Sequence, residues 1–172
     1  LGSMMPKGEW WAYNTALNGE RVPSKVQGLE LSCCVSSGPR GLLMTPEWAV
    51  MSDPTGNPVI NLYAPGTSLF NLAGGNKLTI LQETDYPMNG LVSLTLQPKK
   101  TSLFTLKLRI PQWSKRTVLK VNGEEIACEA GTYASINRTW KKGDKVTLEP
   151  DLRGRVIPAP SGAQQNAIMR GP

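Results

Sequence analysis

Histidine is absent from this chain of 172 residues. That absence excludes Ser-His-Asp and Cys-His catalysis within the sequence and removes the commonest metal ligand. Cysteine is scarce too: there are three, an odd number, which excludes a complete disulfide framework. No window approaches the roughly 20 apolar residues of a membrane span, so no membrane partner is expected. The opening Leu1-Gly-Ser-Met-Met-Pro6 lacks the basic start and apolar run of a signal peptide. That start, and the stop at Arg170-Gly-Pro172, suggest a piece of a longer chain. There is no internal repeat and no low-complexity segment.

What is present bounds the class. Forty per cent hydrophobic residues is a globular composition. Seventeen Gly and 14 Pro against two Phe point to many turns and short strands. The formal charge is +6, which raises the question of an anionic partner. The basic residues are dispersed, however, with Lys99-Lys100, Lys115-Arg116 and Lys141-Lys142 each at an expected turn. No basic helical stripe and no nucleic-acid-binding motif occurs, so no nucleic-acid partner is expected.

The most informative feature is the adjacent pair Cys33-Cys34, in Leu31-Ser-Cys-Cys-Val-Ser-Ser-Gly-Pro-Arg40. Neighbouring cysteines rarely bridge each other, because the ring is strained. They can share a metal ion, or one can act as a thiolate beside a metal-anchoring neighbour. They can also be two small buried hydrophobes at a strand end. A structural zinc site needs four ligands. Besides the pair, Glu30 could offer an oxygen, although a surface role suits it better. Cys128 stands alone and reads as an ordinary strand or loop residue.

The chain divides into two parts. Residues 1–55 hold Trp10-Trp11-Ala-Tyr13, a polar Gly/Pro-punctuated stretch, and a helix expected over 36–52. Ser36 or Ser37 would cap that helix and Pro39 would sit in its first turn. Pro46 would kink or restart it, and Asp53-Pro-Thr-Gly56 would end it. Residues 56–172 carry short strands at 59–63, 77–84, 91–96, 103–110, 118–121, 133–136, 138–140 and 145–148. In the fourth, Phe104, Leu106, Leu108 and Ile110 share one face. Asn122-Gly123 is a strong hairpin signal. Strands at this spacing predict an antiparallel β-sandwich.

Other constellations are weaker. Glu83 and Asp85 could form a glycosidase carboxylate pair, but fit strand-end and turn positions better. Asn137-Arg-Thr139 matches a glycosylation sequon beside a strand. Trp10, Trp11, Tyr13, Trp113 and Trp140 could stack on sugars; packing is the favoured reading for Trp113 and Trp140.

Several segments then converge. Cys33-Cys-Val-Ser-Ser-Gly-Pro-Arg-Gly-Leu42, Glu83-Thr-Asp-Tyr-Pro87, Leu108-Arg-Ile-Pro-Gln-Trp113, Val121-Asn-Gly123, Thr139-Trp-Lys-Lys-Gly-Asp144 and Arg170-Gly-Pro172 stand in family order. The chain resembles the C-terminal part of glycoside hydrolase family 127, the β-L-arabinofuranosidases. The resemblance implies that residues 1–55 are the last strip of an (α/α) barrel catalytic domain and residues 56–172 a β-sandwich. It further implies a retaining mechanism, with Cys33 as nucleophile and Cys33 and Cys34 as zinc ligands. The other zinc ligands and the acid/base would lie upstream, and Cys128 does not match a ligand. A carbohydrate substrate is therefore expected for the longer protein. The piece itself is expected to be inactive and to hold little zinc. The alternative is a non-catalytic carbohydrate-binding or structural β-sandwich module.

Overall fold

The computed structural model describes residues 33–158 and 166–172, together with Lys7. Two compact units divide the chain, residues 1–47 and 48–172. Helix α1 spans Cys33–Ala49. It starts three residues before the expected caps and runs through both Pro39 and Pro46. Pro46 therefore neither ends nor restarts it, although it cannot donate a backbone bond to the preceding turn. Thr45 Oγ1 donates to the Gly41 carbonyl one turn earlier, at 3.2 Å. The end at Ala49 has a clear cause, since terminal helix carbonyls need outside donors. Asn61 supplies them: its backbone N–H reaches Ala49 O at 2.9 Å, and its Nδ2 reaches Trp48 O at 3.2 Å.

Val50 and Met51, expected in the helix, instead belong to β1 (Val50–Ser52). They leave it because they pair with Ile60 and Val59 of β2 (Pro58–Ile60), which places Val50 against the core. The Asp53–Gly56 turn thus joins two strands rather than closing a helix. Asp53 organises it. Its Oδ1 accepts from the N–H groups of Thr55 and Asn57, each at 2.9 Å, and its Oδ2 meets Lys107 Nζ at 2.8 Å.

The remaining strands are β3 (Gly66–Asn71), β4 (Lys77–Thr84), β5 (Val92–Pro98), β6 (Ser102–Arg109), β7 (Val118–Val121), β8 (Glu124–Ile126), β9 (Tyr133–Trp140), β10 (Asp144–Glu149), β11 (Arg155–Pro158) and β12 (Asn166–Met169). One sheet has the order β1-β2-β6-β9 and the other β3-β4-β5-β10-β7-β8, with β11 and β12 as a separate hairpin. Every pairing is antiparallel except β2 with β6. That parallel contact is pinned to the Asp53 turn: Thr105 N donates to Asn57 Oδ1 at 3.1 Å, beside the Lys107–Asp53 pair.

Alternation makes each sheet two-faced. Phe104, Leu106 and Leu108 of β6 point inward with Ala134, Ile136 and Trp140 of β9. Leu78 and Ile80 of β4, Val92, Leu94 and Leu96 of β5, and Val146 and Leu148 of β10 meet them in one cluster. The expected sandwich is therefore present, with a mainly antiparallel β architecture. Trp140 is fully buried, stacks on Phe104 at 5.7 Å between centroids, and donates Nε1–H to the Phe104 carbonyl at 3.1 Å. Truncating such a side chain to Ala typically costs about 3–5 kcal/mol.

The strand run 133–140, read as two pieces, is continuous because β9 pairs with β6 along all eight residues. Strand β3 escaped the sequence reading since its pattern is mostly exposed and polar. It exists as an edge paired with β4 over six positions. At Asn122-Gly123 the backbone takes φ of 50° and 91°, the left-handed pair of a tight hairpin, joining β7 to β8.

The Asp53 carboxyl lies well below its ordinary range, chiefly through the hydrogen bond from Lys107, then through the Asn57 and Thr55 donors. A depressed carboxylate adds stability that is present above its unfolded pKa and is lost as pH falls through the folded value. Asp53→Asn should therefore lower the thermal midpoint at neutral pH. The gap from the parent chain should shrink as pH falls below about 4. Melts across that acid limb check this; a gap independent of pH would refute it.

Candidate functional site

Cys33 and Cys34 occupy the first two positions of α1. Their side chains lie outside the described residues, as do Glu30, Trp10, Trp11 and Tyr13. Two adjacent thiols are soft donors of the kind zinc takes, and make up half of a tetrahedral set. Among the described residues no group of three or more His, Cys, Asp and Glu side chains could hold a metal ion.

The other candidates resolve as structural parts. Cys128 is half-buried against the core, and its Sγ approaches the Thr117 carbonyl at 3.6 Å. Burial first, then the Glu125 charge, pushes its thiol up, away from thiolate chemistry. Glu83 is the penultimate residue of β4, and Asp85 forms a turn, accepting Asn89 Nδ2 at 3.1 Å. Asn137 is exposed and donates to Thr105 Oγ1 across the strands at 3.0 Å. Trp140 is core. Trp113 is half-buried, with the Arg155 guanidinium 5.2 Å over its ring.

A second constellation went unread in the sequence. The segment after β10, Pro150–Gly154, borders a cavity of about 580 Å³ lined by Asn89, Arg116, Glu149, Asp151, Arg153 and Arg170, among others. A neighbouring cavity of about 330 Å³ adds Trp113 and Arg155 and shares Asp151 and Arg153. Ser114, 1% exposed, accepts the Asp151 N–H at 2.8 Å and shares a 2.6 Å bond with Thr117 Oγ1. Gly90 permits the close approach of the neighbouring turn, because a Cβ there would stand 3.1 Å from the Pro150 carbonyl.

Asp151 binds Arg153 through two oxygens, Nε at 2.7 Å and Nη2 at 2.6 Å. That bidentate pair holds the carboxyl down at about 2. Arg155 Nη2 donates to the Gly171 carbonyl at 2.8 Å, and both Arg170 Nη atoms share the Met88 carbonyl at 3.3 Å. The only sequence hint was Asp151-Leu-Arg-Gly-Arg155, alternating charge on a loop; the partners Arg116 and Arg170 come from distant turns.

The two stacked sheets and their connecting turns define a β-sandwich module of the kind appended to larger enzymes. Residues 58–152, over half of the chain, match the model of the β-L-arabinofuranosidase GH127 middle domain. The chain belongs to that family. It is similar to a solved glycoside hydrolase at 32% identity and TM-score 0.81, covering 99% of this chain and 30% of that one. It is also similar to a GH127 beta-L-arabinofuranosidase from Geobacillus stearothermophilus T6, at 28% identity and TM-score 0.84, covering 99% and 29%. A GH127 beta-arabinofuranosidase gives 25% identity, TM-score 0.84, and coverage of 99% and 30%. The chain therefore spans less than a third of these relatives' length. No curated protein sequence matches it.

Ser114 anchors the loop by a buried bond, so Ser114→Ala should leave the Asp151 N–H without its acceptor. The expected loss is about 1–3 kcal/mol in urea unfolding. An unchanged midpoint would show that the loop is held by other contacts.

Proposed function

We propose that this chain is the middle-domain portion of a retaining glycoside hydrolase acting on β-L-arabinofuranosides or closely related sugars. The observation that carries the reading is the family match over 58–152, joined to 99% coverage by a beta-L-arabinofuranosidase structure. The cysteine pair lies upstream of the matched region, at the start of α1. Cys33 is the nucleophile of this reading. Its sulfur would attack the anomeric carbon as the glycosidic C–O bond breaks, and the leaving oxygen would take a proton from an acid elsewhere in the protein. Water then cleaves the C–S bond, and two inversions give retention.

Cys33 and Cys34 would hold the zinc of such a centre, which when bound supplies a permanently deprotonated thiol. In this reading the acid/base and the remaining zinc ligands come from outside the 172 residues, so the chain is inactive alone.

The decisive experiment uses the full-length protein and a nitrophenyl β-L-arabinofuranoside. Cys33→Ser should lower kcat/KM by about a thousandfold or more, the scale on which loss of a covalent nucleophile registers. Retained activity would remove the nucleophile assignment. Metal analysis of the purified 172-residue chain should find well under one zinc per chain; a stoichiometric ion would favour an independent zinc-binding module instead.

A further inference from the structure

The groove around the Asp151–Arg153 pair has the chemistry of a ligand site, and we propose that it binds an acidic saccharide, a sugar residue carrying a carboxylate. The reading stands apart from the hydrolase assignment and needs neither cysteine.

Size comes first. The two adjoining cavities, about 580 and 330 Å³, fall in the range of small-molecule sites. Charge comes next. Arg116, Arg153, Arg155 and Arg170 face Glu149 and Asp151, four guanidiniums against two carboxylates. That excess suits a ligand of low negative charge. A polyanion such as nucleic acid would meet the two carboxylates as repulsion. A sugar acid carries a single charge, which the guanidiniums can take bidentately, and hydroxyl groups that donate to the carboxylates.

Donor accounting points the same way. Arg153 commits Nε and Nη2 to Asp151, which leaves three of its five N–H groups for a ligand. Arg170 shares one carbonyl between two nitrogens at 3.3 Å, a weak arrangement that a carboxylate can improve on. Asp151 and the Gly171 carbonyl hold Arg153 and Arg155 in place, so little ordering remains to oppose binding. Beside them Trp113 lines the smaller cavity, with the Arg155 guanidinium over its ring, so its indole reports on a ligand there.

The test titrates the 172-residue chain with D-galacturonate, galactose and inorganic phosphate, by calorimetry and by the Trp113 indole N–H signal in heteronuclear NMR. Galacturonate should bind saturably with a Kd in the millimolar range and shift the Trp113 signal, with galactose about tenfold weaker or more. Arg116→Gln combined with Arg170→Gln should weaken galacturonate about tenfold or more. Arg116→Gln alone, at an exposed turn, should weaken it less and keep the thermal midpoint, which guards against a misfolded double variant. Three results would overturn the proposal: no saturable binding into the tens of millimolar, equal binding of galactose, or phosphate competing as well as galacturonate, which would mark a simple anion site.

Discussion

One apolar layer holds this module together. Inward-facing residues of β4, β5, β7 and β10 meet those of β2, β6 and β9 in a single cluster. Trp140 anchors its end, stacked on Phe104 and bonded to the Phe104 carbonyl. The layer fixes strand register, because a slip by one residue would turn every core side chain to solvent. Register in turn fixes where each connecting turn emerges. The turns then carry nearly everything that distinguishes this chain chemically.

The short motifs of the family resemblance make physical sense on this frame. In Thr139-Trp-Lys-Lys-Gly-Asp144, Trp140 fills the core and Asp144 closes the turn, its Oδ2 accepting the Lys141 N–H at 2.8 Å. Asp144 Oδ1 also accepts Asn122 Nδ2 at 3.0 Å, while Asn122 Oδ1 accepts the Lys145 N–H at 2.8 Å. The Val-Asn-Gly and Trp-Lys-Lys-Gly-Asp segments are thus one interlocked pair of turns. In Leu108-Arg-Ile-Pro-Gln-Trp113, Ile110 is buried in the core and Arg109 Nε donates to the Asn61 carbonyl at 2.6 Å. In this chain the motifs serve architecture, and TM-scores of 0.81–0.84 accompany identities of 25–32% to the similar structures. They certify the scaffold and say little about the substrate.

The sequence was most legible where period-two patterning is unbroken. Strand β4 and strand β7 fall where the pattern places them, and β6 presents the face expected of Phe104, Leu106 and Leu108. It was least legible where neighbours decide. Val50 and Met51 continue a helical apolar run, yet strand β2 takes them. Strand β3 has no apolar alternation and exists through its partner β4. The Cys33-Cys34 pair stood out in the sequence because two adjacent thiols have few uses. The arginine groove was invisible because its residues are spread from Arg116 to Arg170 and no local pattern joins them.

The sequence by itself determined a two-faced β module and its tight Asn-Gly hairpin. These follow from local rules: alternation and left-handed turn residues. Only the tertiary structure decided that β2 lies parallel to β6, that Trp140 is core while Trp113 meets Arg155, and that Arg116, Arg153 and Arg170 line one cavity with Asp151, whose N–H buried Ser114 accepts. Those outcomes rest on contacts between residues tens of positions apart, whose energies depend on a register that exists only once both sheets have closed on their common core.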